Sequence, residues 1–216
     1  MYLILISIIF SLLFSNYEKN LQTTLILAEP ADTIHLGEGT FEIKGSLSME
    51  GKENIVIKGN GIEKTILSFS NQTNGAEGLR INNCKNITMI DFTVQDSKGD
   101  AIKVQDVDGV IFRRIKTEWT NGPKPENGAY GLYPVLCQNI LIEYCIAVGA
   151  SDAGIYVGQS RNIIVRNSEA YHNVAGIEIE NSFQADVYNN YAHHNTGGIL
   201  VFDLPDLVQK EGGNIR

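Results

Sequence analysis

The chain has 216 residues, 43% of them hydrophobic and 19% charged, with a formal charge of −8 and a pI of about 5.0. A surplus of acid offers phosphate no basic face, which excludes nucleic acid as a partner. It also weighs against a polyanionic substrate unless a cation or a local basic patch mediates. Glycine (21 residues) outnumbers proline (5), and short apolar runs separated by turn residues point to an all-β chain with many corners. Leu3 to Phe14 is an unbroken apolar run of 12 residues. A bilayer span takes about 20 residues, so the run fits the core of a signal peptide instead. Residues 1–28 are set aside on this basis, with cleavage after Ser15 or near Ala28. The mature chain is then exported, to the periplasm, the outer envelope or the medium, and has no transmembrane span.

Asp32 to Gly61 alternates strand and turn without a fixed frame and reads as a divergent first coil that caps the bottom of the fold. From there the chain repeats. Six short strands start their apolar series at Leu79, Ile102, Leu132, Ile155, Ile177 and Ile199, in steps of 23, 30, 23, 22 and 22. A second series, Ile87, Val110, Ile140 and Ile163, steps by 23, 30 and 23. Both stretch at one place, so a single insertion, Thr117 to Ala129, explains both. A unit of about 22 residues cannot bury its apolar face alone, but stacked on its copies it can. Each coil adds about 4.8 Å, and parallel crossovers are right-handed in nearly all cases. The fold predicted over residues 29–216 is therefore a single-stranded right-handed parallel β-helix. Its inward columns are Leu79/Ile102/Leu132/Ile155/Ile177/Ile199 and Ile81/Val104/Pro134/Val157/Ile179/Val201.

Glycines before the strands mark corners, where positive φ or close backbone approach suits them. Asn173 and Asn195 share a corner, as do Asn167 and Asn189, and stacked asparagines bond along the axis and tolerate left-handed turns. Cys84, Cys137 and Cys145 have no metal-ligand spacing and read as small buried residues. His172, His193 and His194 read as corner residues. Asn214–Arg216 resembles the opening of a further strand, so the chain is expected to stop within a coil.

These coils resemble the parallel β-helix repeats of the pectin-lyase-like superfamily, whose members bind or cleave carbohydrates. Gly154–Ser160 (GIYVGQS), Gly176–Ser182 (GIEIENS) and Gly197–Pro205 (GGILVFDLP) carry the likeness, which is nearest to bacterial envelope proteins of undefined activity. Mannuronan epimerases and pectate lyases are more distant relatives. The resemblance implies the fold and a carbohydrate partner, but not a reaction. The epimerase relatives carry Asp-Pro-His-Asp after a Tyr-Gly. Here Tyr130-Gly131 leads instead into Leu132-Tyr133-Pro134-Val135, with tyrosine and valine where an acid and a histidine would stand. Asp100 has no clear acidic partner of the kind a polygalacturonase needs. No cofactor is called for. Calcium could enter only through the acids Asp91, Asp96, Asp106 and Asp108, which sit near turns and read as solvated corners.

One outward stripe is more informative. The residue after each first inward position reads Arg80, Lys103, Tyr133, Tyr156, Glu178 and Leu200 from bottom to top. Tyr133 and Tyr156 would stack as a platform for a sugar ring, with Arg80 and Lys103 below. Glu178 and Glu180 lie above, with Cα atoms about 6.5 Å apart, near the carboxylate spacing of inverting glycosidases. The insertion, with the only tryptophan, Trp119, would wall the stripe. Glu178 and Glu180 are thus the candidate catalytic pair, and Arg80, Lys103, Trp119, Tyr133 and Tyr156 the candidate substrate-binding residues, with no metal ligands. The expected function is an extracytoplasmic β-helix that binds a polysaccharide or oligosaccharide and acts on it as a lyase, epimerase or hydrolase. A non-catalytic envelope scaffold or partner-binding protein is the alternative.

Overall fold

A computed structural model describes residues 17–216. Its strands form three parallel ladders that run the length of a right-handed β-helix. One face stacks β1 (Thr33–His35), β4 (Glu53–Lys58), β7 (Lys85–Gln95), β9 (Asp108–Glu118), β11 (Gln138–Glu143), β14 (Arg161–Arg166), β17 (Phe183–Tyr188) and β20 (Gly213–Ile215). The next stacks β2 (Gly39–Glu42), β5 (Thr65–Ser68), the C-terminal parts of β7 and β9, β12 (Ile146–Val148), β15 (Glu169–Tyr171) and β18 (Tyr191–His193). The third is a seven-stranded sheet of β3 (Leu47–Glu50), β6 (Leu79–Asn82), β8 (Ile102–Gln105), β10 (Leu132–Val135), β13 (Ala153–Gly158), β16 (Ala175–Glu180) and β19 (Gly197–Phe202).

The register matches the sequence columns. Leu79 pairs with Ile102, Ile102 with Leu132, Leu132 with Ile155, Ile155 with Ile177 and Ile177 with Ile199. The second series aligns as Ile87, Val110, Ile140 and Ile163. All but Ile199 are buried. The three cysteines are free and buried, and desolvation pushes the thiols of Cys137 and Cys145 up to about 12.

The corners use two devices. Left-handed backbone falls on Asn83, Asp106, Leu136, Gln159 and Asn181, with φ between 45° and 55°, at the turn that follows the seven-stranded sheet. The glycines before that sheet do not need positive φ; they need room. A Cβ on Gly131 would meet the Gly154 carbonyl oxygen at 2.4 Å, and one on Gly176 would meet that of Gly198 at 2.6 Å. Asn173 is buried and knits three coils together. Its Oδ1 accepts from the Ala150 amide at 2.9 Å, its Nδ2 donates to the Ala147 carbonyl at 3.1 Å, and its own amide donates to Asn195 Oδ1 at 2.9 Å.

The bottom of the coil stack is closed differently from expectation. Residues 17–27 form a helix, α1, that buries Leu21 and Leu25, with Ala28 following, at the i, i+4, i+7 spacing of one helical face. Tyr17 stacks on Phe41 and donates to the Leu36 carbonyl. Glu18 accepts the amides of Lys44 and Gly45, and Gln22 bonds the Ser48 amide and carbonyl. The cap is thus α1, while Asp32–Gly61 supplies the first coil and the opening strand of the second, both in register with those above. Residues 17–28, which the leader reading includes, pack against the first coil. Leu3–Phe14 lies outside the described residues. No helix among the described residues is long and apolar enough to cross a membrane.

Candidate functional site

The alternation of β8, β10, β13 and β16 puts Lys103, Tyr133, Tyr156 and Glu178 in successive rungs on the outer face of the seven-stranded sheet. Tyr133 lies beside Lys103, and Tyr156 is paired with Glu178. Tyr133 and Tyr156 meet edge to face, with centroids 5.0 Å apart, rather than as a flat platform. Tyr130, directly after the insertion, leans onto both, with centroids at 4.6 Å from each. Lys103 Nζ sits 5.0 Å from the Tyr133 ring centroid. Arg80 is two rungs below Tyr133 and exposed.

Two expectations about the stripe need correction. Tyr156 is only 5% exposed, because Tyr130, Tyr133 and Glu180 cover it, so it supports the surface rather than presenting a ring to solvent. Trp119 lies under the insertion, not beside the stripe. It is buried in the main core, and its Nε1–H donates to the Ser97 carbonyl at 2.8 Å. The residue that reaches the stripe is Tyr130, directly after the insertion. Strand β9 already includes Thr117 and Glu118, and Asn127 pins the loop by donating to the carbonyls of Gly122 and Gly149.

The two glutamates differ in their partners. Glu180 is 6% exposed and accepts the Tyr156 hydroxyl at 2.8 Å. Glu178 is 7% exposed and has no side-chain hydrogen bond or ion pair among the described residues. Burial, then the nearby charges of Asp152 and Glu180, push its carboxyl up to about 7. Burial also raises Asp100, opposed by Lys103 and by a 3.3 Å bond from the Tyr130 amide. Desolvation raises Tyr130 and Tyr133 as well, with Asp152 beside the first and Asp100 beside the second. Asp100, Tyr130 and Asp152 were not picked out from the sequence as site residues. Register holds the signal for the first two, since each stands two places before the first inward residue of its coil, one rung apart.

The four turn aspartates are occupied at their corners. Asp91 makes a bidentate pair with Arg114, Asp96 accepts from Thr120, Asp106 from Gln105 and Asp108 from Asn139. Among the described residues no group of three or more His, Cys, Asp or Glu side chains is placed to hold a metal ion. A cleft of about 730 Å³ lies between the insertion (Pro123, Lys124, Pro125) and the corners carrying His172 and His194. Its lining offers Lys124, His172, His194, Asn173 and Asn195 but no carboxylate.

The profile of a family described as "Right handed beta helix region" matches residues 34–164 and again 77–209. Among solved structures, the A-module of a mannuronan C-5 epimerase from Azotobacter vinelandii is 16% identical with a TM-score of 0.51, over 74% of this chain and 49% of that one. An alginate lyase from Paenibacillus sp. is 17% identical with a TM-score of 0.54, over 79% and 72%. Gene product 12 of bacteriophage phi29 is 15% identical with a TM-score of 0.54, over 79% and 29%. The chain spans about half the length of the epimerase module. At these identities the likeness is one of fold. No curated protein sequence matches this chain.

Proposed function

The chain belongs to the right-handed β-helix family, and on that scaffold we propose an extracytoplasmic protein that binds a polysaccharide along the outer face of the seven-stranded sheet and hydrolyses it, with Glu178 as general acid. The observation that carries the reading is Glu178 itself: a carboxyl 7% exposed, unpartnered among the described residues, paired across the ladder with Tyr156, near Tyr130 and raised to about 7. Such a group holds its proton near neutral pH and can deliver it to a leaving glycosidic oxygen. Glu180, about 6.5 Å away in Cα spacing along the same face of the strand, is the second carboxyl. Its bond to Tyr156 fixes its direction. Tyr133 is the half-buried ring left to meet the apolar face of a sugar, with Lys103 beneath it. Two structural neighbours are named as an alginate lyase and a mannuronan epimerase, which agrees with a polysaccharide partner without choosing the reaction. The apolar run Leu3–Phe14 supports export.

A second reading has its own support. The buried Tyr156–Glu180 pair is mutually satisfied, as a purely structural contact would be. A glycan-array screen of the full chain, followed by reducing-sugar and unsaturated-uronate assays on bound glycans, separates the possibilities. Hydrolysis predicts new reducing ends without unsaturation, lost in Glu178→Gln while binding persists. Unsaturated ends would replace hydrolysis with elimination. Binding without product would leave a lectin-like module, and no binding at all would favour the scaffold.

A further inference from the structure

Two neighbouring residues of an extended strand point their side chains to opposite faces. His193 ends β18, and the backbone turns left-handed at the next residue, with a φ of 53° at His194. The two rings meet across that turn, with His193 Nδ1 2.5 Å from His194 Nδ1. The other nitrogen of His193, Nε2, lies 2.9 Å from Oε1 of Glu169 on β15, one rung below. A carboxylate only accepts, so His193 carries its proton on Nε2 and keeps a bare lone pair on Nδ1. His194 then supplies the proton between the rings, and its ring makes no other hydrogen bond among the described residues. The His193 ring is also held by stacking, on Tyr171 with centroids 5.0 Å apart and on Tyr191 with centroids 4.2 Å apart.

We propose that His193 and His194 form a binding site for a divalent transition ion of the copper and zinc type, with Nδ1 of each ring as ligand and Glu169 orienting the first. Imidazole nitrogen suits copper, nickel and zinc, whereas calcium takes oxygen. A ligating histidine characteristically donates its second ring N–H to a carboxylate, which fixes the tautomer, and the His193–Glu169 contact has that form. Two nitrogens at about 2.0–2.1 Å from one ion stand about 3 Å apart, so its entry parts the rings by about half an ångström. His194, exposed and otherwise unbonded, can make that move and carry its proton on Nε2 instead. Among the described residues no group of three ligating side chains is present, so two protein nitrogens hold the ion. Its other positions are left to water or to a molecule in the cleft that His194 lines. His172 occupies the equivalent corner one rung below, with a φ of 58°, but its ring meets His194 edge-on with centroids 5.6 Å apart and stays outside the ligand set.

The test is calorimetric titration of the untagged full chain with zinc chloride, copper(II) chloride and calcium chloride, joined by electron paramagnetic resonance of the copper form. Zinc and copper should compete for a single site, copper the tighter of the two, and calcium should not displace them. His193→Phe keeps a ring to stack on the tyrosines, and His194→Asn keeps a residue that tolerates the left-handed turn. Each should lower affinity at least about tenfold and remove one nitrogen from the copper spectrum, and Glu169→Ala should lower affinity about tenfold with both nitrogens retained. His172→Asn should leave affinity nearly unchanged. Circular dichroism checks that the variants fold. Wild-type affinity in either His193→Phe or His194→Asn would overturn the site. Wild-type affinity in Glu169→Ala would make the pair two surface histidines that bind copper by accident, and a loss in His172→Asn equal to that in His194→Asn would contradict the two-nitrogen set; either result would overturn the proposal.

Discussion

Ile177 is the sharpest probe of the stacked-coil packing. It is fully buried, with Ile155 one rung below and Ile199 one rung above, all in one inward column. Replacing it with alanine removes three carbons, which at about 0.8 kcal/mol each is a transfer loss of about 2.4 kcal/mol. The ladders hold both neighbouring strands in register, so the gap cannot collapse, and the cavity term brings the total to about 3–4 kcal/mol. Ile199 has the same chemistry in a different setting, 46% exposed. Ile199→Ala forfeits only about half of the transfer term and opens no closed cavity, so about 1 kcal/mol is expected. Urea unfolding followed by circular dichroism on both variants gives the comparison, with midpoints reported as well because stacked repeats can depart from two-state behaviour. Equal losses at the two positions, or a loss below about 1 kcal/mol at Ile177, would refute the column.

Glu178 makes stability depend on pH in a defined direction. Its carboxyl rises from an ordinary 4.5 to about 7 on folding, so between those values the folded chain binds more protons than the unfolded one. Stability should therefore fall as pH rises through that window, and Glu178→Gln should flatten the fall and be the more stable protein above pH 7, as read from melting temperatures across the range. Asn173→Ala should cost about 1–3 kcal/mol in denaturant unfolding, because it strands the Ala150 amide and the Ala147 carbonyl inside the turn. If the chain is exported by cleavage, mass spectrometry of the mature protein should find a start close to residue 16 and not 29, since the later cut removes α1 and uncovers the first coil.

The β-helix was legible because its repeat is arithmetic. One insertion stretched two apolar series equally, and the observed pairing of Leu132 with Ile102 and Ile140 with Val110 follows from that count. The cap was less visible. Leu21, Leu25 and Ala28 carry a helical period, but they follow directly on an apolar run whose export reading drew the following residues with it. The outer stripe was legible in order and not in exposure. Alternation says that Tyr156, Glu178 and Glu180 point away from the core, and they do, yet each is under 9% exposed, with Tyr133 and Tyr130 packed against Tyr156. The path of an insertion is set by contacts such as Asn127 with Gly149, which have no period to read. The same limit hid the exchange of roles between Trp119, which went inside, and Tyr130, which came out over the sheet.

The polysaccharide reading turns on one ring. Tyr133 is the half-buried aromatic of the stripe, flanked by Lys103 below and Tyr156 above, and its removal leaves the main core untouched. The direct measurement is the affinity of wild type and Tyr133→Ala for a glycan retained by the wild type, with melting temperatures taken in parallel. The account predicts a loss of about 1–3 kcal/mol in binding with little change in melting temperature. Unchanged affinity in a folded Tyr133→Ala protein would contradict it.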